Sequence, residues 1–151
     1  MVGGGPAGVG AALAAARGGT QTALVEHYGC LGGMWTIGLL NPILDHHEKG
    51  GIVDEIVGRL RAAGKLTPGP RANFDVEYLK YMLDRMMAEA GVELRLYRSA
   101  VETIRDGERV CGIVTESKSG REALLAQTVI DCTGDGDVCA RAGVPYTVGR
   151  E

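Results

Sequence analysis

This sequence predicts an α/β fold with a parallel sheet at its centre and a small antiparallel β-meander, and three observations carry the prediction. Over residues 1–26 a strand stub, a glycine turn, an alanine-rich helix and a second strand follow one another as one βαβ unit. A second helix returns to a strand over residues 75–96, which makes the centre of the sheet parallel. From residue 100 onward three short strands follow with turns and no helix between them.

Each element has its own signal. From Pro6 to Ala16 the Ala and Leu residues favour helix, Pro6 suits the first helical position, and Gly18-Gly19 supplies the stop. Thr22 to Val25 reads as a short buried strand ending at Glu26. Residues 27–50 hold Gly29, Gly32, Gly33, an Asn41-Pro42 turn signal and the pair His46-His47, the composition of a long functional loop. Ile52, Val53, Ile56, Val57 and Leu60 recur at helical spacing and predict an amphipathic helix over 52–63, followed by a connector from Leu66 to Arg71.

Leu79, Met82, Leu83, Met86, Met87 and Ala90 predict a helix over 75–90, with Asn73 or Asp75 as its N-cap and Gly91 as its stop. Val92, Leu94 and Leu96 alternate as a strand does. The meander strands are expected at 100–104, 110–115 and 122–126, separated by Asp106-Gly107 and Ser119-Gly120. Val129-Ile130 reads as one more buried strand, running into Thr133-Gly134-Asp135-Gly136-Asp137 and a short helix near 138–142. Only Met1 and Val2 precede the first glycine, against about five residues in an ordinary strand, so a fragmentary chain is expected.

Composition narrows the function classes. With 151 residues, 45% hydrophobic and 23% charged, the chain suffices for one compact core and not for a large two-domain enzyme. Gly contributes 24 residues without a collagen-like period, which points to tight turns and backbone that approaches a ligand. The net charge of -3 comes from interspersed signs with no basic run, so nucleic acid and anionic membrane are not expected partners and a small molecule is. The uncharged stretch over residues 29–44 is broken by Gly and Pro and falls short of the roughly 18 apolar residues of a membrane span. With no secretory signal pattern and four cysteines far apart, a reducing cytoplasm is the expected location.

The sharpest motif is Gly3-Gly4-Gly5-Pro6-Ala7-Gly8, a GxGxxG pattern at the start of a helix. Gly3 allows the tight turn, Gly5 lets backbone approach a pyrophosphate, and Gly8 lets the helix pack closely on the sheet. Free N–H groups and the helix dipole at that end favour a diphosphate anion. Glu26 follows at the end of the second strand, where a carboxylate accepts ribose hydroxyls and repels a 2′-phosphate, which selects FAD or NAD over NADP. The bland alternative is a glycine-rich turn with a solvated strand-end glutamate.

On these residues the chain resembles the FAD-dependent oxidoreductases of the glutathione-reductase-like flavoprotein group. The resemblance is carried by residues 2–10, by 23–36 (ALVEHYGCLGGMWT), by 75–96 and by 129–151 (VIDCTGDGDVCARAGVPYTVGRE). It implies a Rossmann-like FAD-binding domain over residues 1–151 in which the meander replaces a crossover helix. Truncation at both ends is implied too, with the substrate domain lying outside this chain. It also implies roles. Gly3, Gly5, Pro6, Ala7 and Gly8 would hold the diphosphate, and Glu26 with His27 the adenosine ribose. The Gly32-Gly33 turn would pass near the diphosphate and flavin, Val101 would offer backbone to the adenine, and Thr133, Gly134 and Asp135 would lie along the cofactor.

Other polar residues have plainer readings. Cys30 lacks a second cysteine in a CxxC or CxxxxC pattern, which favours a packing thiol over a redox partner. Cys132 and Cys139 read as small buried residues, and Met82, Met86 and Met87 as core filling. Asp135-Gly136-Asp137 is not a calcium loop, because Tyr146 stands where a bidentate Glu is needed. His46 and His47 are adjacent and so unsuited to a shared zinc site; the default is a solvent-facing pair, with a proton-donor role near substrate as the alternative. Trp35 either covers the cofactor or packs. No metal is expected and no side chain is marked as catalytic.

The expected activity is flavin-mediated hydride or electron transfer between a substrate and an external acceptor or donor, with activity residing in the full-length parent. Two alternatives stand beside it. An NAD-dependent dehydrogenase would use the same turn and acid but continue in βα repeats where the meander stands, and a non-catalytic nucleotide-binding module would bind the ADP moiety without redox turnover.

Overall fold

The computed structural model describes residues 1–67 and 71–149, and its sheet is centred on Val2. This buried residue bridges in parallel to Val25 on one side and to Asp131 on the other. The Val2 N–H donates to Ile130 O at 3.0 Å and its carbonyl accepts from Cys132 N–H at 2.8 Å; Gly3 N–H donates to Val25 O at 2.8 Å. Helix α1 (Pro6–Arg17) leaves the glycine turn and returns through Gly18 and Gly19 to strand β1 (Ala23–Val25). The loop after β1 is irregular apart from one 3-10 turn at Gly33–Trp35.

Helix α2 (Gly51–Ala62) follows, then a two-rung hairpin of β2 (Leu66–Thr67) and β3 (Asn73–Phe74). The expected 66–71 connector is therefore partly strand, drawn together by burial of Phe74, while its residues 68–70 lie outside the described ones. Helix α3 (Val76–Glu89) is capped by Asp75, whose Oδ1 accepts the Tyr78 N–H at 3.0 Å. Of the two cap candidates Asp75 is the one used, because Asn73 is committed to β3. Strand β4 (Glu93–Arg95) then pairs in parallel with β1, which completes the order β4, β1, Val2, Asp131.

Strands β5 (Ser99–Asp106), β6 (Arg109–Ser117) and β7 (Gly120–Leu125) form the antiparallel meander, and a short helix α4 (Asp137–Arg141) packs on β5. Residues 129–130 do not form the expected buried strand: only Asp131 bridges to the sheet, and Ile130 is exposed. The line it pairs with turns away at Gly3 directly after Val2, so the ladder has a single rung.

Two apolar clusters flank the sheet. The larger gathers Val9 and Leu13 of α1, Ile56 and Leu60 of α2, Leu79, Leu83, Met86 and Met87 of α3, and Leu24 of β1. Each such fully buried side chain contributes about 2 kcal/mol relative to exposure. Met82, Met86 and Met87 are buried here as the spacing predicts, and Trp35 packs against the same cluster. The smaller cluster, Val2, Val25, Ile113 and Val138, seats the meander and α4 on the other side. Among the described residues no helix is long and apolar enough to cross a membrane.

Candidate cofactor site

The carboxyl ends of the parallel lines open into a cleft of about 500 Å³. One wall is Gly3, Gly5, Pro6 and Ala7; another is Glu26, His27 and Tyr28 after β1 with Arg98, Ser99 and Ala100 where β5 begins; a third is Cys132, Thr133 and Gly134 with Asp137 and Arg141. Met34 reaches in from the loop after β1.

The three motif glycines have different reasons to lack a side chain. At Gly3 the backbone is left-handed (φ 97°), and a Cβ would overlap the Cys132 carbonyl; at Gly8 it would overlap the Gly3 carbonyl. Those two are required by the fold itself. Gly5 is not: its φ of -68° and ψ of -176° suit any residue, and a Cβ there meets no protein atom within 4 Å. A side chain at Gly5 would stand in the cleft. Directly behind it, α1 begins without any side-chain cap, so its first N–H groups are left to water or to a ligand. The donor set and the open space at Gly5 fit a dinucleotide diphosphate.

Glu26 is buried at the end of β1, and both of its oxygens take backbone donors. Oε2 accepts the Gly4 N–H at 2.5 Å and Oε1 accepts the Tyr28 N–H at 2.7 Å. Each oxygen keeps a further lone pair for a hydroxyl. The same carboxylate therefore pins the glycine turn. His27 Nδ1 hydrogen-bonds Ser99 Oγ at 2.8 Å, and Arg98 pairs with Glu122 Oε2 at 2.8 Å, which ties β7 to the rim.

Of the residues expected along a cofactor, Gly3, Gly5, Pro6, Ala7, Glu26, His27, Thr133 and Gly134 share this cleft. Five are elsewhere. Gly8 sits beneath the turn; Gly32 donates its N–H to Gly4 O at 2.8 Å and Gly33 abuts Gly5 Cα, so this turn buttresses the first one. Val101 is the residue skipped by the β5–β6 register between Ala100 and Glu102, and Asp135 is exposed between Gly134 and Gly136. Tyr28, Met34, Arg98, Ser99, Asp137 and Arg141 line the cleft without having been picked out from the sequence, where no local pattern marks them.

Three plainer readings change. His46 is buried rather than solvent-facing, with Nε2 lacking a hydrogen-bond partner and the ring 4.0 Å from that of His47. The loop folds inward because Ile43 bridges to Ala72 and the Asn41 side chain brackets the Phe74 backbone at both its N–H and its carbonyl. Cys132 is half-buried, and Cys139 is exposed since α4 contributes only Val138 to the core. Burial pushes the Cys132 thiol up, and hydrogen bonding to Asp131 does the same for Cys139. For Asp131 burial alone would raise the pKa, but hydrogen bonds from the Cys139 N–H and from Thr133 outweigh it and hold the carboxyl below its ordinary value of 3.8.

The chain matches the family described as FAD dependent oxidoreductase over residues 1–151. It belongs to that family. FAD is accordingly its cofactor, and the α/β fold with parallel centre and meander is that of FAD-binding Rossmann-like proteins. Solved structures with the same fold include a triple mutant of the flavin-dependent brominase Bmp2, 18% identical, with TM-score 0.74 and coverage of 95% of this chain and 40% of that one. The Thermovibrio ammonificans THI4 structure is 21% identical, TM-score 0.68, covering 92% and 57%. A geranylgeranyl bacteriochlorophyll reductase-like protein from Thermoplasma acidophilum is 20% identical, TM-score 0.69, covering 97% and 42%. The chain thus spans about half or less of the length of these proteins.

Proposed function

We propose that residues 1–151 are the FAD-binding domain of a longer oxidoreductase, in which a small-molecule substrate and an external acceptor or donor exchange hydride or electrons, the substrate side being supplied by the rest of the parent. When bound, the flavin supplies the redox chemistry. The chain's own residues bind and orient. The uncapped start of α1 and the backbone of Gly3 to Gly8 would take the diphosphate. Glu26 would accept the ribose hydroxyls while holding Gly4, with His27 beside it. The Gly32-Gly33 turn, which supports Gly5 from behind, would keep that backbone in place. Thr133, Gly134 and Asp135 would run along the cofactor and Val101 would face the adenine. Four free thiols accord with a reducing cytoplasm as the location.

The observation that carries this reading is Gly5: among the motif glycines, it is the one whose missing side chain the protein's own packing does not require. The test is the visible spectrum of the full-length parent purified without added cofactor, with release and identification of the chromophore. A bound flavin that is reduced and reoxidised on turnover supports the reading. A colourless protein that takes up NAD and not FAD, or one that binds the ADP moiety without turnover, contradicts it.

A further inference from the structure

The cleft's third wall is organised by a carboxylate that does not itself line the cleft. Asp131 Oδ1 accepts the Thr133 N–H at 3.0 Å and the Thr133 hydroxyl at 2.7 Å, while Oδ2 accepts the Cys139 N–H at 2.9 Å. The Thr133 oxygen, having given its proton to Asp131, accepts the Asp137 N–H at 2.9 Å. One carboxylate and one hydroxyl thereby satisfy three backbone donors spread over residues 133–139, and the two that reach the carboxylate are charge-assisted bonds about twice as strong as neutral ones. A protonated acid would turn one of those acceptors into a donor, so the arrangement needs the ionised form.

This wall is in van der Waals register with the glycine turn. A Cβ on Gly3 would run into the Cys132 carbonyl and Thr133 Cα, and one on Gly8 would come within 3.3 Å of Cys132 Cβ. The backbone bond from Cys132 N–H to Val2 O fixes the same segment to the sheet. A shift of residues 132–134 therefore cannot occur without disturbing the turn that begins α1.

We propose that Asp131 is a positioning residue for the cofactor, holding Thr133 and Gly134 at the cleft surface against the glycine turn so that the two walls form one seat. The proposal rests on the reading of the cleft as the FAD site. It differs from a general stabilising role in requiring that Asp131 act through the Thr133 hydroxyl.

The experiment is an FAD titration of the full-length parent, stripped of cofactor, by flavin fluorescence, run as a double-mutant cycle of Asp131→Asn and Thr133→Val, with Thr133→Ser as the conservative variant. Each of the first two is expected to weaken FAD binding about tenfold, the double variant no more than the weaker single one, and Thr133→Ser to bind as the unaltered chain does. Additive losses, or Thr133→Ser as weak as Thr133→Val, would overturn the proposal. So would losses no larger than the unfolded fraction of each variant, measured by thermal unfolding without FAD. If Asp131→Asn does not fold, Thr133→Val against Thr133→Ser carries the same decision. Amide hydrogen exchange in the FAD-free chain gives a second readout: Thr133, Asp137 and Cys139 are expected to exchange faster in Asp131→Asn, and unchanged rates contradict the clamp. An unaltered parent that takes up no FAD sinks the cofactor reading alone, because the exchange rates still report whether Asp131 holds the wall.

Discussion

The turn at residues 3–8 and the turn at residues 132–137 meet in one cleft and are made by opposite means. In the first, geometry comes from the absence of side chains: Gly3 and Gly8 allow contacts that a Cβ would forbid, and α1 starts with no cap. In the second, geometry comes from side chains, with Asp131 and Thr133 consuming the N–H groups of residues 133, 137 and 139. The difference teaches which of the two has donors to offer. The second turn gives the Thr133 and Asp137 N–H groups to its own side chains, whereas the bare helix start at the first keeps donors able to bind an anion. Glu26 links the designs, since it reaches into the bare turn from outside and takes one of its amides, the Gly4 N–H.

Substitutions that test this contrast are ordered by their expected effect on stability. Gly8→Ala should cost most, about 3 kcal/mol, because the new Cβ collides with the rigid Gly3 carbonyl. Urea unfolding would show it as a large fall in midpoint, and an unchanged midpoint would mean that the turn is not packed as described. Acidification comes next and strikes the second turn. Asp131 has its folded pKa depressed, so its contribution is fully present above the unfolded value near 3.8 and is lost as the pH falls through the lower folded value. The facing thiols of Cys132 and Cys139 are both shifted upward and stay neutral there. Unfolding followed against pH should therefore show an acid limb that flattens in Asp131→Asn; identical limbs would remove Asp131 from the account.

A smaller effect is expected away from both turns. Glu55 accepts from Arg17 at 2.6 Å and pairs with Arg59 at 2.9 Å, which joins α1 to α2, and Arg59 continues to Glu89 of α3 at 2.8 Å. The hydrogen bond from Arg17 holds the Glu55 carboxyl below its usual range. Because these groups are part-exposed, Glu55→Gln should cost only about 0.5 kcal/mol and the difference should shrink in high salt. A loss that is large and insensitive to salt would mean that Glu55 does something other than pair on the surface.

Much of this was legible from the residues alone. Helical spacing found α2 and α3 to within a residue or two, and Asp-Gly and Ser-Gly punctuation found the meander, because those signals are local. The GxGxxG spacing marked the first turn, and the resemblance to a known family laid Thr133, Gly134 and Asp135 along the cofactor, but the bonds from Asp131 to Thr133 and Cys139 follow from chain folding and have no fixed pattern. The same holds for Arg98 and Arg141, which reach the cleft from β5 and α4. The buried strand expected at 129–130 failed because alternation and apolarity do not reveal how long the neighbouring line is. His46 was misjudged because Asn41 and Ile43 dock the loop on residues far away in sequence.

The smallest change in stability and the most decisive result belong to the same variant. Gly5→Val, compared with the unaltered protein in thermal unfolding and in FAD titration, is predicted to keep its unfolding midpoint to within about 0.5 kcal/mol and to lose cofactor uptake, since the new side chain enters cleft space and its Cβ meets no protein atom within 4 Å beyond the adjoining residues. A Gly5→Val protein that binds FAD as tightly as the unaltered chain would contradict the placement of the diphosphate at the bare turn.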